Sequence, residues 1–182
     1  LYQFLNQEIN NMYGEDKKKL RSNTVLYGYL EEGRWQTHLQ PELSNKFIIQ
    51  FETELNQDLP LQYKEFISIH NGCYLFDLLR IAGRSPDTYK GLSLEEESHT
   101  PFALEYMQEL YLRKRTPKTH FIFADSIVKN TYYVLDVEEK VLELDFKTKK
   151  ILNTYADLKT FLYEILIEGK INKENGIYFE FE

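Results

Sequence analysis

Catalysis and metal binding need particular side chains at particular separations, and this chain has few that qualify. Its four histidines, His38, His70, His99 and His120, stand roughly 20–30 residues apart, and no two have the i,i+4 spacing that puts paired ligands on one helix face. The one cysteine, Cys73, follows an Asn-Gly helix stop, whereas an activated thiolate belongs at the positive, N-terminal end of a helix. It reads as structural. Asp125, Asp136 and Asp145 each close an expected strand. Neighbouring strand ends can bring carboxylates together for acid–base work, but Asp is also an ordinary turn residue there. Ser126 beside Asp125 is a common turn pairing. No Gly-x-Gly-x-x-Gly, phosphate loop or Gly-x-Ser-x-Gly elbow occurs. The expectation is no catalytic residue, no metal and no cofactor.

What remains is interface chemistry. The chain holds 14 tyrosines and 12 phenylalanines, too many for all to be core, and an exposed tyrosine offers a flat apolar ring with a polar tip. Charge is distributed unevenly. Residues 1–41 carry five acids and five bases, residues 42–112 twelve acids and five bases, and residues 113–182 twelve of each, so the whole surplus of −7 falls in the middle of the chain. An acidic stretch repels phosphate backbones and speeds encounter with a basic protein. Direct nucleic-acid binding is therefore disfavoured. No run approaches the roughly 20 apolar residues of a membrane span, and one cysteine allows no internal disulfide. Residues 1–13 show no basic start followed by an apolar run. With the free cysteine, that sets the expectation of a cytoplasmic protein.

These residues must be positioned by a chain of 182 residues, about one domain's worth. Leu1, Leu5, Ile9 and Met12 mark a helix ended by Gly14. Lys17 to Arg21 then reads as a solvated, mobile joint. Thr24 to Leu30 and Trp35 to Leu39 read as a hairpin about Glu32-Gly33. Leu43, Phe47, Phe51 and Leu55 recur every four residues, an amphipathic helix. Asp58-Leu59-Pro60 opens another, with Tyr63, Phe66 and Ile67 inward and Asn71-Gly72 as its stop. Tyr74 to Ile81 reads as one strand and residues 82–98 as a loop. Thr100-Pro101 opens a helix with Leu104, Met107, Leu110 and Tyr111 on its buried face and Arg113, Lys114 and Arg115 in its last turn. His120 to Ala124, Tyr132 to Asp136 and Val141 to Asp145 form a meander, which Lys150 to Asn153 extends. Thr154 and Asp157 make a capping box for a helix through Leu158, Phe161, Leu162, Ile165 and Leu166 that Gly169 ends. Ile177 to Phe181 alternates as an edge strand.

The run Leu59-Pro60-Leu61-Gln62-Tyr63-Lys64-Glu65-Phe66, with Asn71-Gly72 after it, resembles the signature of the SUKH superfamily in its cell-wall-regulator (Smi/Knr-type) branch. The segments Phe121 to Asp125 and Tyr132 to Asp136 are similar to that family's central strands, and the resemblance spans about residues 42–168. The sequence departs from the pattern at Cys73, where a second glycine is usual, and over Ser126 to Asn130, where a Gly-rich turn is usual. The resemblance implies an α+β fold, an antiparallel twisted sheet packed with helices, formed by residues 42–182. Residues 1–41 lie outside the pattern and read as a helix-plus-hairpin extension packed on it. Leu59, Pro60, Tyr63, Phe66, Asn71 and Gly72 have structural roles.

The resemblance also implies a function class: bacterial members are often immunity proteins that bind and neutralise a cognate toxin, often a nuclease. The acidic stretch agrees with a basic toxin domain as partner. The expected contacts are the carboxylates Asp77, Asp87, Glu95, Glu96 and Glu97, with Tyr74 and Tyr89 as aromatic anchors. The alternative is an intracellular regulatory or scaffold module, as the fungal members suggest, with residues 1–41 as a specificity extension. A hydrolase built on Asp125, Asp136 and a histidine is the third class, and it requires those groups to converge in a cleft.

Overall fold

In the computed structural model, residues 1–112 and 117–177 are described. Helix α1 (Phe4–Tyr13) buries Leu5, Ile9 and Tyr13, and Tyr2 just ahead of it lays its ring edge-on to Phe66 at 5.5 Å. The chain then runs through β1 (Lys17–Lys19), β2 (Val25–Tyr29), β3 (Trp35–Leu39), α2 (Asn45–Leu55), α3 (Leu61–Ile67), β4 (Cys73–Leu75), β5 (Leu79–Ile81), α4 (Leu94–Ser98), α5 (Leu104–Leu112), β6 (Phe121–Ser126), β7 (Thr131–Leu135), β8 (Val141–Asp145), β9 (Ile151–Tyr155) and α6 (Leu158–Glu174). The nine strands lie side by side in sequence order, and every neighbouring pair is antiparallel. The fold is α+β.

Rings from α6 and four other elements make the core under that helix. Phe161 packs against Tyr133 at 4.7 Å, Tyr155 at 5.1 Å and Phe123 at 6.3 Å, and Tyr63 of α3 sits 5.0 Å from Phe121. The opposite face of the sheet is covered by the chain between β5 and β6, including α5, where Tyr111 stacks on Tyr132 at 4.8 Å. Residues 1–41 share this architecture: β3 pairs with β4 through His38↔Tyr74 and Leu39↔Cys73, and Tyr2, Leu5 and Ile9 belong to the same apolar cluster as Phe66 and Phe161.

Several elements differ from the sequence expectation, each for a local reason. Residues 17–19 are not a loose joint but the edge strand β1, paired to β2 through Lys17↔Tyr27 and Lys19↔Val25. Exposed lysines suit an edge strand because they discourage further pairing. The strand expected over 74–81 is a hairpin, turned by Phe76 and Asp77 at φ +59° and +55°. The loop 82–98 contains α4. Helix α3 ends at Ile67, so Asn71-Gly72 does not cap it. Asp157 itself caps α6, accepting from the Thr160 amide, while Thr154 lies in β9. Gly169 does not end α6; it lies inside it, where the Phe76 ring would meet an added Cβ at 2.2 Å. Arg113, Lys114 and Arg115, and nearly all of the strand expected over 177–181, lie outside the described residues.

Candidate functional site

The segment from Arg84 to Phe102 leaves the sheet after β5 and returns to its starting point. At its neck the Gly83 amide donates to the Phe102 carbonyl at 2.9 Å, and the Leu104 amide donates back to the Gly83 carbonyl at 3.0 Å. This closes a strap whose ends touch. Asn71 and Tyr63, singled out in the sequence, hold its root. The Asn71 side chain donates to the Arg84 carbonyl at 2.9 Å and accepts from the Arg84 amide at 2.7 Å, and the Tyr63 hydroxyl donates to the Ala82 carbonyl at 2.7 Å. Gly72 stands at φ +90°, and an added Cβ would lie 2.9 Å from the Ile81 carbonyl oxygen. Leu59 and Phe66 are buried beneath, and Pro60 stands just ahead of α3. Thus Tyr63, Asn71 and Gly72 fix the backbone from which the strap departs.

Ion pairs hold the strap along its length. Arg84 is itself buried and reaches both Glu54 of α2, at 2.9 Å, and Asp87, at 2.6 Å. The capping box of α4 is complete: Glu96 accepts from the Ser93 amide and Ser93 Oγ accepts from the Glu96 amide. That amide bond, together with Arg21, holds the Glu96 carboxyl below the usual carboxylate range. Lys18 of β1 donates to both oxygens of Glu95, at 2.7 and 2.9 Å, and Arg21 also donates to the Gly91 carbonyl. The N-terminal strand therefore clamps the strap's helix.

Beneath the strap runs a polar rung. Residues His38, Tyr74, Arg80, Asp125 and Tyr132 are directly opposed on consecutive strands β3 to β7. Asp125 is fully buried and accepts Nε and Nη2 of Arg80 at 2.9 and 2.7 Å, and the Tyr111 hydroxyl as well. Arg80 lays its guanidinium over the Phe102 ring at 3.7 Å. Burial pushes His38 down to about 3, helped by His99, whose ring stands edge-on at 4.6 Å. His38 Nε2 faces the Trp35 carbonyl at 3.1 Å, so it carries the proton and Nδ1 holds a lone pair. A cleft of about 480 Å³ opens over this rung, walled by Tyr74, Arg80, Phe102 and Tyr106 with Tyr89 at its edge. A second cleft, of about 360 Å³, adjoins it across Gln40, Ser85, Thr100 and Pro101 and includes Phe47, Asp87 and Glu96.

The candidate contacts from the sequence divide accordingly. Tyr74 and Tyr89 line the first cleft, and Asp87 and Glu96 the second. Asp77 lies behind the first. It is 2% exposed, accepts from Tyr74 and Arg34, and burial raises its carboxyl above the usual range. Asp77 and Glu96 are thus buried, with internal partners rather than open surface. Of the five carboxylates, Glu97 alone has no ion-pair partner among the described residues. The middle-chain surplus is accordingly offset in part by Lys18, Arg21 and Arg34 from the first 41 residues. Arg80, Phe102 and Tyr106 have no signal in the sequence, and His38 reads there only as an isolated histidine. The alternation over Trp35 to Leu39 places His38 opposite the face formed by Thr37 and Leu39, but cross-strand register cannot be read from one strand.

The hydrolase constellation does not converge. Asp125 and Asp136 lie toward opposite ends of the β6–β7 ladder, and Asp136 accepts from the Glu138 and Lys140 amides of its turn. Cys73 is buried, and burial pushes its thiol up. Among the described residues, no group of three or more His, Cys, Asp or Glu could hold a metal, and no helix is long and apolar enough to cross a membrane.

The order of elements and the Leu-Pro to Asn-Gly motif agree with one known family, and a family model decides the matter: the SMI1/KNR4 family (SUKH-1) matches residues 42–164. The chain belongs to that family. The match takes in the motif at the strap's root, the whole strap and β4 to β9, together with α2, α3 and the start of α6, and leaves out α1 and the clamping strand β1. No curated protein matches the chain. As a SUKH-1 protein it has a fold whose motif residues are structural, and its function must be argued from the strap.

Proposed function

We propose that this SUKH-1 protein is a non-catalytic binding module of the immunity type. It docks a basic protein partner, a bacterial toxin domain, on the strap and neutralises it by occupying its surface. One observation carries this reading: four of the seven sequence candidates line two adjoining clefts, Asp87, Tyr89 and Glu96 from the neck-closed strap and Tyr74 from β4 beneath it. Convergent aromatic walls with few polar groups are what binding sites use. Tyr89, Leu94 and Tyr106 are exposed on and beside the strap, at 46%, 83% and 54%. Such side chains anchor interfaces, while the exposed Glu97 on the strap and Glu105 at the start of α5 supply attraction for a basic surface. Asp87, Tyr89, Glu95 and Glu97 form the contact surface, Tyr74 a cleft wall, and Asp77 and Glu96 its support.

Calorimetry against basic toxin domains encoded beside this chain's gene tests the reading. The expected result is 1:1 binding whose affinity falls as salt rises and falls again in the Glu97→Lys, Glu105→Lys double variant. Absence of binding to all of them, or binding indifferent to salt and to charge reversal, would defeat it.

A further inference from the structure

The sheet has two edges, and they are built differently. At one edge β1 shows solvent three exposed lysines, which discourage a further strand. At the other lies β9, whose one sheet partner among the described residues is β8. Its residues, Ile151, Leu152, Asn153, Thr154 and Tyr155, include no charge and no proline, and the first four are exposed. The register shift against β8 falls at Glu143/Leu144 and leaves Asn153 to Tyr155 in unbroken pairing. The extra residue sits on β9, so the hydrogen-bond alternation can be counted along β8. The Asp145 amide donates to the Lys150 carbonyl, which makes Glu143 and Val141 the next bonded positions. Leu142 is not one of them, so the amide and carbonyl of its partner Thr154 point away from β8, toward solvent.

Charge runs along this edge in one direction. At its start, the turn over residues 145–150 carries Lys147, Lys149 and Lys150 against Asp145. At its end, the turn over residues 136–140 and the residues after β9 carry Asp136, Glu138, Glu139 and Asp157 against Lys140. Asp136, Glu139 and Asp157 accept backbone amides, which leave their charge in place. Exposed apolar side chains flank both ends, Phe146 at the basic one and Val137 at the acidic one. A second copy laid antiparallel brings basic end to acidic end twice over, by two-fold symmetry, whereas a parallel copy sets like against like. A uniformly basic partner would find its complement at one end alone. We infer that β9 is the interface for a second copy of this chain, paired antiparallel so that two nine-stranded sheets join edge to edge. The backbone of Thr154 supplies main-chain bonds, Ile151 and Leu152 apolar contact, and the two turns the orientation. The strap is clamped from β1, at the far edge, so the pair presents two open straps. This inference does not rest on the docking reading.

The test is analytical sedimentation of the full chain, with amide hydrogen exchange followed against concentration. One short strand pair with its flanks lies at the low end of stable interfaces, so a reversible dimer with a dissociation constant on the order of tens of micromolar is expected. Exchange at the Thr154 amide should slow as concentration rises, while the β1 amides do not respond. Leu152 is exposed, so Leu152→Lys should fold and weaken the dimer at least tenfold; Thr154→Pro should do the same by removing the outward amide. Lys150→Glu should weaken it about threefold, and adding Glu138→Lys should recover most of that loss, because both ends are then reversed together. A chain that stays monomeric up to about ten times the expected constant overturns the inference. So does a dimer that both Leu152→Lys and Thr154→Pro leave intact, or a Thr154 amide indifferent to concentration. A monomer whose Thr154 amide is protected by a basic domain instead assigns the edge to that partner and overturns the second-copy reading. Binding of a basic domain at the strap, unchanged in Leu152→Lys, leaves the docking reading standing whichever way the dimer falls.

Discussion

The two faces of the sheet are held by different forces. Under α6, the rings of Phe123, Tyr133 and Phe161 are at most 1% exposed and pack on one another, with polar contact gathered at the buried Glu143, which accepts from Tyr133, Tyr155 and Asn153. Under the strap, contact is made by Arg80 with Asp125, His38 with His99, Arg84 with Glu54, and Lys18 with Glu95. Apolar burial is large and indifferent to salt and pH, whereas polar contacts are individually modest and sensitive to both. One face therefore sets whether the chain folds, and the other sets how the binding strap is presented.

The sharpest way to break this contrast is truncation on the apolar face. Phe161→Ala removes a ring packed against three aromatic neighbours and should cost about 3–5 kcal/mol in denaturant unfolding. A loss below about 1 kcal/mol would mean that this face does not dominate. On the strap face the largest expected loss comes from Asn71→Ala. It leaves both the amide and the carbonyl of Arg84 unpaired and should cost about 1–3 kcal/mol. Hydrogen exchange should quicken at the Arg84 amide and along the strap while the β7 and β8 amides stay protected. Uniform acceleration across the molecule would show that the strap is not a separate unit.

Both sites bear on what the sequence made legible. Apolar pattern located α1, α2 and α6, each with one apolar stripe, and the β6–β8 meander, whose strands are short, mostly apolar runs buried on both faces between polar turns. It failed where tertiary contacts decide. Gly169 looks like a helix stop until Phe76 arrives from the β4–β5 turn, and the three lysines of β1 look like a tether until β2 pairs with them. The site was half legible. Charge pointed to the middle segment, and Tyr74, Asp87 and Tyr89 do line the clefts. Ion pairing was invisible: nothing in the strings around Asp77 or Glu96 announces that Arg34 and Arg21, 43 and 75 residues away, will meet them. The polar rung was hidden for the same reason, since it exists only once five strands are in register.

Acid sharpens the comparison without mutation. His38 sits near 3 in the folded chain against 6.5 when free, so between those values the unfolded chain binds a proton that the folded chain refuses. Stability is complete above pH 6.5 and falls as pH drops toward 3, by about 1.4 kcal/mol per unit for one proton in mid-window. Burial lowers His70 and His120 as well, with the same sign, while Asp77, raised by burial, acts oppositely closer to the carboxylate range. The clean measurement is the difference between the native chain and His38→Gln in urea titrations from pH 7 to 5. The variant's slope should be shallower by most of one proton, and equal slopes would refute the assignment.

The smallest expected effect is the most discriminating. Lys18 and Glu95 are 51% and 37% exposed, so their pair should contribute no more than about 0.5 kcal/mol, and Lys18→Ala should leave the denaturation midpoint almost unmoved. Yet α4 is five residues long, too short to persist without outside contacts, and two of its charged partners come from the N-terminal segment, Lys18 of β1 and Arg21 just after it. Amide exchange in α4 should therefore rise about twofold in Lys18→Ala, and should rise similarly in the native chain as salt goes from 0.1 to 1 M. Because β1 lies outside the family match, this clamp belongs to the chain's own N-terminal segment. A variant that loses more than about 1 kcal/mol globally, with no selective loosening of α4, would show that strap and core unfold together, and the division of labour between the two faces would fail.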